Sequence, residues 1–259
     1  MNISWGKMIA DLSEVPAASA AGFRHVQMPV DVIMNLSDDN FIRQQEILLR
    51  HNITPEVCSS PLPDDVQVTE MGFNIYVWTE YLKKALRRLT KLGCKKLAWS
   101  NGRTRVLPLE GDIVGAKEQV LQFLYLLCDV ADEHEITVLV EPLSPMRTNF
   151  LNTLDEMRDF LDRVGKPNLF SMISMRDLSE IGLNIEVFSS YSELIKHIQL
   201  ENPSEQKGKR ISPKPDDGIN YYPFLNRLKQ IGYDGMICLP QDADMRSLEY
   251  CRKILNGKD

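Results

Sequence analysis

Short apolar, β-branched runs recur along the whole chain, and a stretch of helical periodicity separates most of them from the next. This alternation limits the possible folds more than any other feature. The runs are Asn2–Ser4, His25–Met28, Ile53–Cys58, Lys95–Ser100, Thr137–Glu141, Leu169–Ser174, Ile195–Leu200 and Met236–Leu239. Among them lie Asp39–His51, Gly72–Leu92, Asp112–Glu135, Thr153–Val164 and Tyr221–Ile231, each with apolar residues at i, i+3 and i+4. Val120, Phe123, Leu124, Leu127 and Val130 form one such stripe, and Leu248, Cys251 and Leu255 mark another in the tail. Leu92-Gly93-Cys94 and Ile231-Gly232-Tyr233 each read as a helix end, a left-handed glycine and the start of a strand. About eight strand-then-helix units in 259 residues predict an α/β fold, a single-domain (β/α)8 TIM barrel over residues 1–259. A doubly wound open sheet is the alternative. It lacks support because no G-x-G-x-x-G or G-x-x-x-x-G-K-[ST] loop follows an early strand.

Charge narrows the choice of partner. The 30 Lys+Arg against 36 Asp+Glu leave a net charge of -6, without the basic field that non-specific nucleic-acid binding needs. The apolar runs are too short to span a bilayer, and residues 1–19 lack a basic-then-apolar leader, so a cytoplasmic protein with no membrane partner is expected. The five cysteines are scattered without a C-x-x-C pair and read as reduced thiols, several in the core.

In a barrel of this kind chemistry sits where the strands end, which directs attention to Gln27, Ser100, Glu141, Ser174, Gln199 and Pro240. Only Glu141 is charged. A carboxylate closing a strand as apolar as 137–140 needs a partner, a metal or a function. Trp99 neighbours Ser100, but strand alternation sends the two to opposite faces. The polar segment 200–218 reads as the loop after the seventh strand. His25, His51 and His134 fall away from the expected mouth and read as structural, while Phe73, Tyr76, Trp78 and Tyr81 read as packing or an oligomer contact.

The strings E141-P-L-S-P-M-R-T-N-F-L-N-T153, S100-N-G-R-T-R-V-L-P108, H197-I-Q199 and I231-G-Y-D-G235 occur in this order. Together they resemble the sugar phosphate isomerase/epimerase group of xylose isomerase-like barrels over nearly the whole chain. The resemblance implies a divalent metal (Mn, Mg, Co or Zn) held at the mouth by a Glu, an Asp, a His and a second Glu from the last four strands. It also implies that such a metal holds neighbouring oxygens of a ketose while the two glutamates move a proton.

Carried over residue by residue, Glu141 matches the first glutamate and is the expected catalytic group and metal ligand. The other three ligand positions read Ser174, Gln199 and Pro240. In the D-x-x-H of the family the histidine becomes Asp177, in its H-x-H the first histidine is kept as His197, and an acidic position of strand two becomes Gln27. One carboxylate and two neutral oxygens hold hard cations weakly, so the metal site is degenerate unless Asp242, Asp177 or Glu201 rebuilds it. Arg103, Arg105, Thr148, Asn149 and Arg210 match positions near the sugar or its lid. Of these, Arg103, Arg105, Asn149 and Arg210 form, with Asp177, His197 and Gln199, the expected substrate-binding set. Two functions compete: an isomerase or epimerase of a sugar or sugar phosphate, and a sugar-binding barrel that has lost the metal and its chemistry. Endonuclease action at abasic sites, known from a related barrel group, needs many histidine ligands, and the chain has 4 His. The resemblance also accommodates a homo-oligomer.

Overall fold

The computed structural model describes residues 3–182, 184–203 and 210–257. Eight parallel strands close into a barrel in sequence order: β1 Ser4–Met8, β2 His25–Pro29, β3 Thr54–Ser59, β4 Lys96–Trp99, β5 Thr137–Val140, β6 Leu169–Ser174, β7 Ile195–Gln199 and β8 Met236–Leu239. The chain returns between strands through α1 Val15–Ala20, α2 Asp31–Met34, α3 Asp38–His51, α4 Ile75–Lys91, α5 Ile113–Asp132, α6 Leu154–Val164, α7 Met175–Glu180, α8 Tyr222–Gln230 and α9 Met245–Leu255. The sequence alternation therefore becomes a (β/α)8 barrel, with β1 paired to β8 to close the ring.

Local chemistry sets the boundaries. Thr153 accepts from the backbone N–H of Glu156 at 3.1 Å and so begins α6, which ends on Gly165 at φ 66°. Asp244 does the same for α9 through Ser247 N–H at 2.9 Å. Gly93 and Gly232 adopt the left-handed conformation their position predicted, at φ 81° and 71°.

The first strand is a correction, since it runs from Ser4 to Met8 and not over Asn2–Ser4; Asn2 lies outside the described residues. Gly6 discourages a strand reading, yet it lies within β1, where any larger residue would have to displace Met236. A Cβ on Gly6 would lie 2.6 Å from Met236 Sδ on the neighbouring strand. The short helices α1, α2 and α7 carry too few residues to show a period and were absent from the sequence expectation.

Inside the barrel, Val57, Ala98, Leu139, Met172, Met236 and Cys238 form one apolar layer. Between strands and helices, Trp99 packs on Phe123 with ring centroids 5.0 Å apart and donates to Thr104 Oγ1 at 2.6 Å. It therefore faces the helices and not the mouth. Phe73, Trp78 and Tyr81 pack against this outer core, whereas Tyr76 is exposed. All five cysteines are buried free thiols. Among the described residues no helix is long and apolar enough to cross a membrane.

Candidate functional site

Strand alternation directs Glu141, Ser174 and Gln199 inward, one step beyond the apolar layer. One layer lower, His197 Nε2 lies 2.8 Å from Gln27 Oε1. These side chains belong to β7 and β2, which are not neighbours, so their contact crosses the barrel interior. Amide oxygens only accept, so Nε2 carries the hydrogen. Burial, followed by the charge of Lys96, pushes His197 down to about 3, which keeps the ring neutral.

Glu141 is fully buried, and among the described residues neither of its carboxyl oxygens has a hydrogen-bond partner. Burial, reinforced by Asp177, drives its carboxyl up to about 8 against the opposing charge of Arg210. Beside it, Ser174 Oγ lies 2.8 Å from Asp177 Oδ2 and 2.8 Å from Glu201 Oε1, and it accepts from Asp177 N–H at 3.0 Å. One hydroxyl has one proton to give, so Ser174 bridges two carboxyl groups that it cannot both satisfy as ions. Ser174 also serves as the N-cap of α7.

Arginines close the arrangement from above. Arg210 Nη1 donates to both oxygens of Glu201 at 3.1 Å and to Gln199 Oε1. Arg147 donates to Asp177 at 3.3 Å and lies 3.8 Å from Glu180, which Arg176 meets at 2.9 Å. Arg147, Arg176 and Arg210 line one wall of a mouth cavity of about 640 Å³, with Met8, Gln241 and Asp242 around the rest. Asp242 is itself held by the Ser212 N–H at 2.8 Å.

The remaining expected residues divide. Arg105 is fully buried, donates through Nη2 to the backbone carbonyl of Glu141 and lies over the Trp99 ring at 5.7 Å. Burial lowers it to about 10, still a cation at neutral pH. Asn149 commits its amide to the backbone of Leu107, accepting at 2.8 Å and donating at 2.9 Å, and so braces two loops. Thr148 is buried next to it, and Arg103 is exposed. The structure thus brings together Glu141, Ser174, Asp177, Gln199, Glu201 and Arg210, with Gln27 and His197 below them. Arg103 and Asn149 stand apart.

The sequence reading missed Arg147 and Arg176. Arg147 lies inside the E-P-L-S-P-M-R string, and both become visible only when α7 folds back over the strand end. It also missed Lys7, buried with its ammonium donating to Ala243 O at 2.7 Å and held down in pKa by that burial.

The donor set does not fit a divalent metal. Pro240 offers no ligand atom, Gln199 and Glu201 already accept from Arg210, and Asp177 accepts from Arg147. Among the described residues no group of three or more His, Cys, Asp or Glu side chains is placed to hold a metal ion.

Residues 15–250 match a protein-family model described as a xylose isomerase-like TIM barrel. No curated protein sequence matches the chain. The fold is similar to that of D-psicose 3-epimerase solved in the presence of D-fructose, at 14% identity and a TM-score of 0.80, covering 98% of this chain and 100% of that one. It is similar to D-allulose 3-epimerase from Methylomonas sp. at 17% identity and a TM-score of 0.80, covering 98% of each chain. An AP endonuclease of family 2 from Brucella melitensis is also similar, at 20% identity and a TM-score of 0.70, covering 93% of this chain and 95% of that one. Relatives with different chemistries share this barrel, so the site must carry the functional argument.

Proposed function

The chain belongs to the xylose isomerase-like TIM barrel family, and on that premise we propose that it binds a ketose, or the phosphate ester of one, at the C-terminal mouth without a divalent metal. The observation that carries this reading is the mouth cavity walled by Arg147, Arg176 and Arg210, of which Arg210 and Arg147 also act on the charge of Glu141. Each arginine is anchored by a carboxylate behind it, which fixes the guanidinium planes where they meet the cavity. A sugar offers adjacent oxygens to such donors, and a phosphate offers a bidentate edge. The test is calorimetric titration of EDTA-treated protein with D-fructose, D-psicose, L-ribulose and D-fructose 6-phosphate. At least one binds in roughly the micromolar to millimolar range with no response to Mn. Failure of every sugar to bind in EDTA, with binding restored by Mn, overturns the proposal.

One observation favours a second reading, proton transfer as in a sugar isomerase or epimerase. Glu141 has both oxygens unpartnered among the described residues and a pKa raised to about 8, which suits a general acid or base near neutrality. It lacks the second carboxyl of a two-base relay, because that strand end is Pro240. Deuterium incorporation from D2O into a bound ketose, lost in Glu141→Gln, supports this reading; no incorporation leaves binding as the function.

A further inference from the structure

Arg210 faces two ways. On one side its Nη1 bonds Glu201 and Gln199; on the other it lines the mouth cavity. The carboxyl groups of Glu141 and Asp177 are, with Glu201, the charges that most strongly hold this arginine protonated against its own burial. Of these, Glu141 is wholly buried and accepts no hydrogen bond among the described residues, and Asp177 is tied to Glu201 through Ser174 Oγ. Asp177 and Glu201, withdrawn from water and joined through one hydroxyl beside the buried Glu141, require positive charge nearby. Arg210 supplies it from a side chain that cannot be chelated away and does not lose its proton. Gln199 stands where the resemblance places a histidine ligand, and its oxygen is already taken by this guanidinium.

We propose that the Arg210 guanidinium is the resident cation of the mouth, neutralising the strand-end carboxyl groups and presenting N–H donors to adjacent oxygens of a bound ketose or other polyol. The charge-balancing half stands on the contacts just described; the ligand half rests on the reading of the mouth as a sugar site. A planar fork of donors matches two neighbouring oxygens as a point charge does not, so the assignment favours vicinal oxygen pairs over isolated hydroxyls. Arg147 and Arg176 stand beside it, but their carboxylate partners are Asp177 and Glu180, and neither bonds the strand-seven residues.

The experiment compares EDTA-treated wild type with Arg210→Ala, reading melting temperature and D-fructose or D-psicose affinity with no addition, with methylguanidinium and with Mn. The expected result has three parts. Wild type ignores EDTA and Mn, Arg210→Ala melts lower and binds sugar at least about tenfold more weakly, and methylguanidinium but not Mn recovers both. Recovery by Mn to the same extent, or a wild type that needs Mn, overturns the assignment of Arg210 as the cation. If Arg210→Ala does not fold unaided, the yield on refolding with methylguanidinium against Mn decides the same point. The two halves fail separately. Rescue of melting temperature in a protein that binds none of the sugars keeps the cation and removes the sugar reading. Unchanged sugar affinity in Arg210→Ala removes the ligand role.

Discussion

At the strand starts, Glu56 lies 3.0 Å from His25 Nδ1 and accepts from Lys96 Nζ at 3.2 Å; at the strand ends, Glu141 accepts from nothing among the described residues. Burial acts upward on both carboxyl groups. At Glu56 the nearby His25 and Lys96 reverse it and bring the group down to about 2, whereas at Glu141 burial and Asp177 prevail and the group rises to about 8. Glu56 is therefore a structural charge whose partners come from β2 and β4, and it ties neighbouring strands together. Glu141 is a carboxyl without a hydrogen-bond partner among the described residues, and a pKa raised in this way is more common at functional sites than elsewhere. Burial alone does not separate the two; the partners do.

The comparison can be broken first at Glu56. Glu56→Gln removes the charge that Lys96 faces in a half-buried setting and is expected to cost about 2–3 kcal/mol in chemical unfolding at neutral pH. The depressed pKa makes this contribution present above about pH 4.5 and lost as the pH falls toward 2, so wild type and variant should converge in acid. Equal stability at pH 7 breaks the claim that this glutamate is structural. At the other end, Ser174→Ala takes away the hydroxyl between Asp177 and Glu201 and the cap of α7, and unfolding should show a loss of about 1–2 kcal/mol. A gain in stability would mean the bridge carries strain. The smallest effect belongs to Arg103→Ala, an exposed residue outside the cluster, for which stability should stay within about 0.5 kcal/mol. A loss of sugar affinity in this variant would extend the site to the loop after β4.

Much of this was legible in the chain. Leu169–Ser174 and Met236–Leu239 emerge as the strands their apolar pattern predicted, and Glu141 stands out because no packing argument explains a charge after Val138, Leu139 and Val140. What stayed hidden depends on contacts between distant segments. Gly6 reads as a strand breaker until Met236 is known to press against it. Arg105 and Arg103 look alike as letters, yet one is buried under the strand-five end and the other is exposed. Asn149 matches a sugar-site position, while its amide is committed to Leu107, 42 residues away. Ser174, Gln199 and Pro240 read as losses, and Arg210 is expected near the sugar, but its bonds to Gln199 and Glu201 appear only in the fold.

The most direct test of the account is the pH dependence of thermal unfolding for wild type and Glu141→Gln in EDTA. A carboxyl raised from 4.5 to about 8 favours the folded state at low pH and loses that contribution as pH rises through 8. His197, lowered from 6.5 to about 3, acts in the opposite direction, but only below pH 6.5, so the interval from 6.5 to 8 isolates Glu141. Wild type should lose on the order of 1–2 kcal/mol across that interval while Glu141→Gln stays flat and becomes the more stable protein at pH 8. Parallel curves, or a variant less stable throughout, would show Glu141 to be a compensated structural charge like Glu56 and would contradict the account.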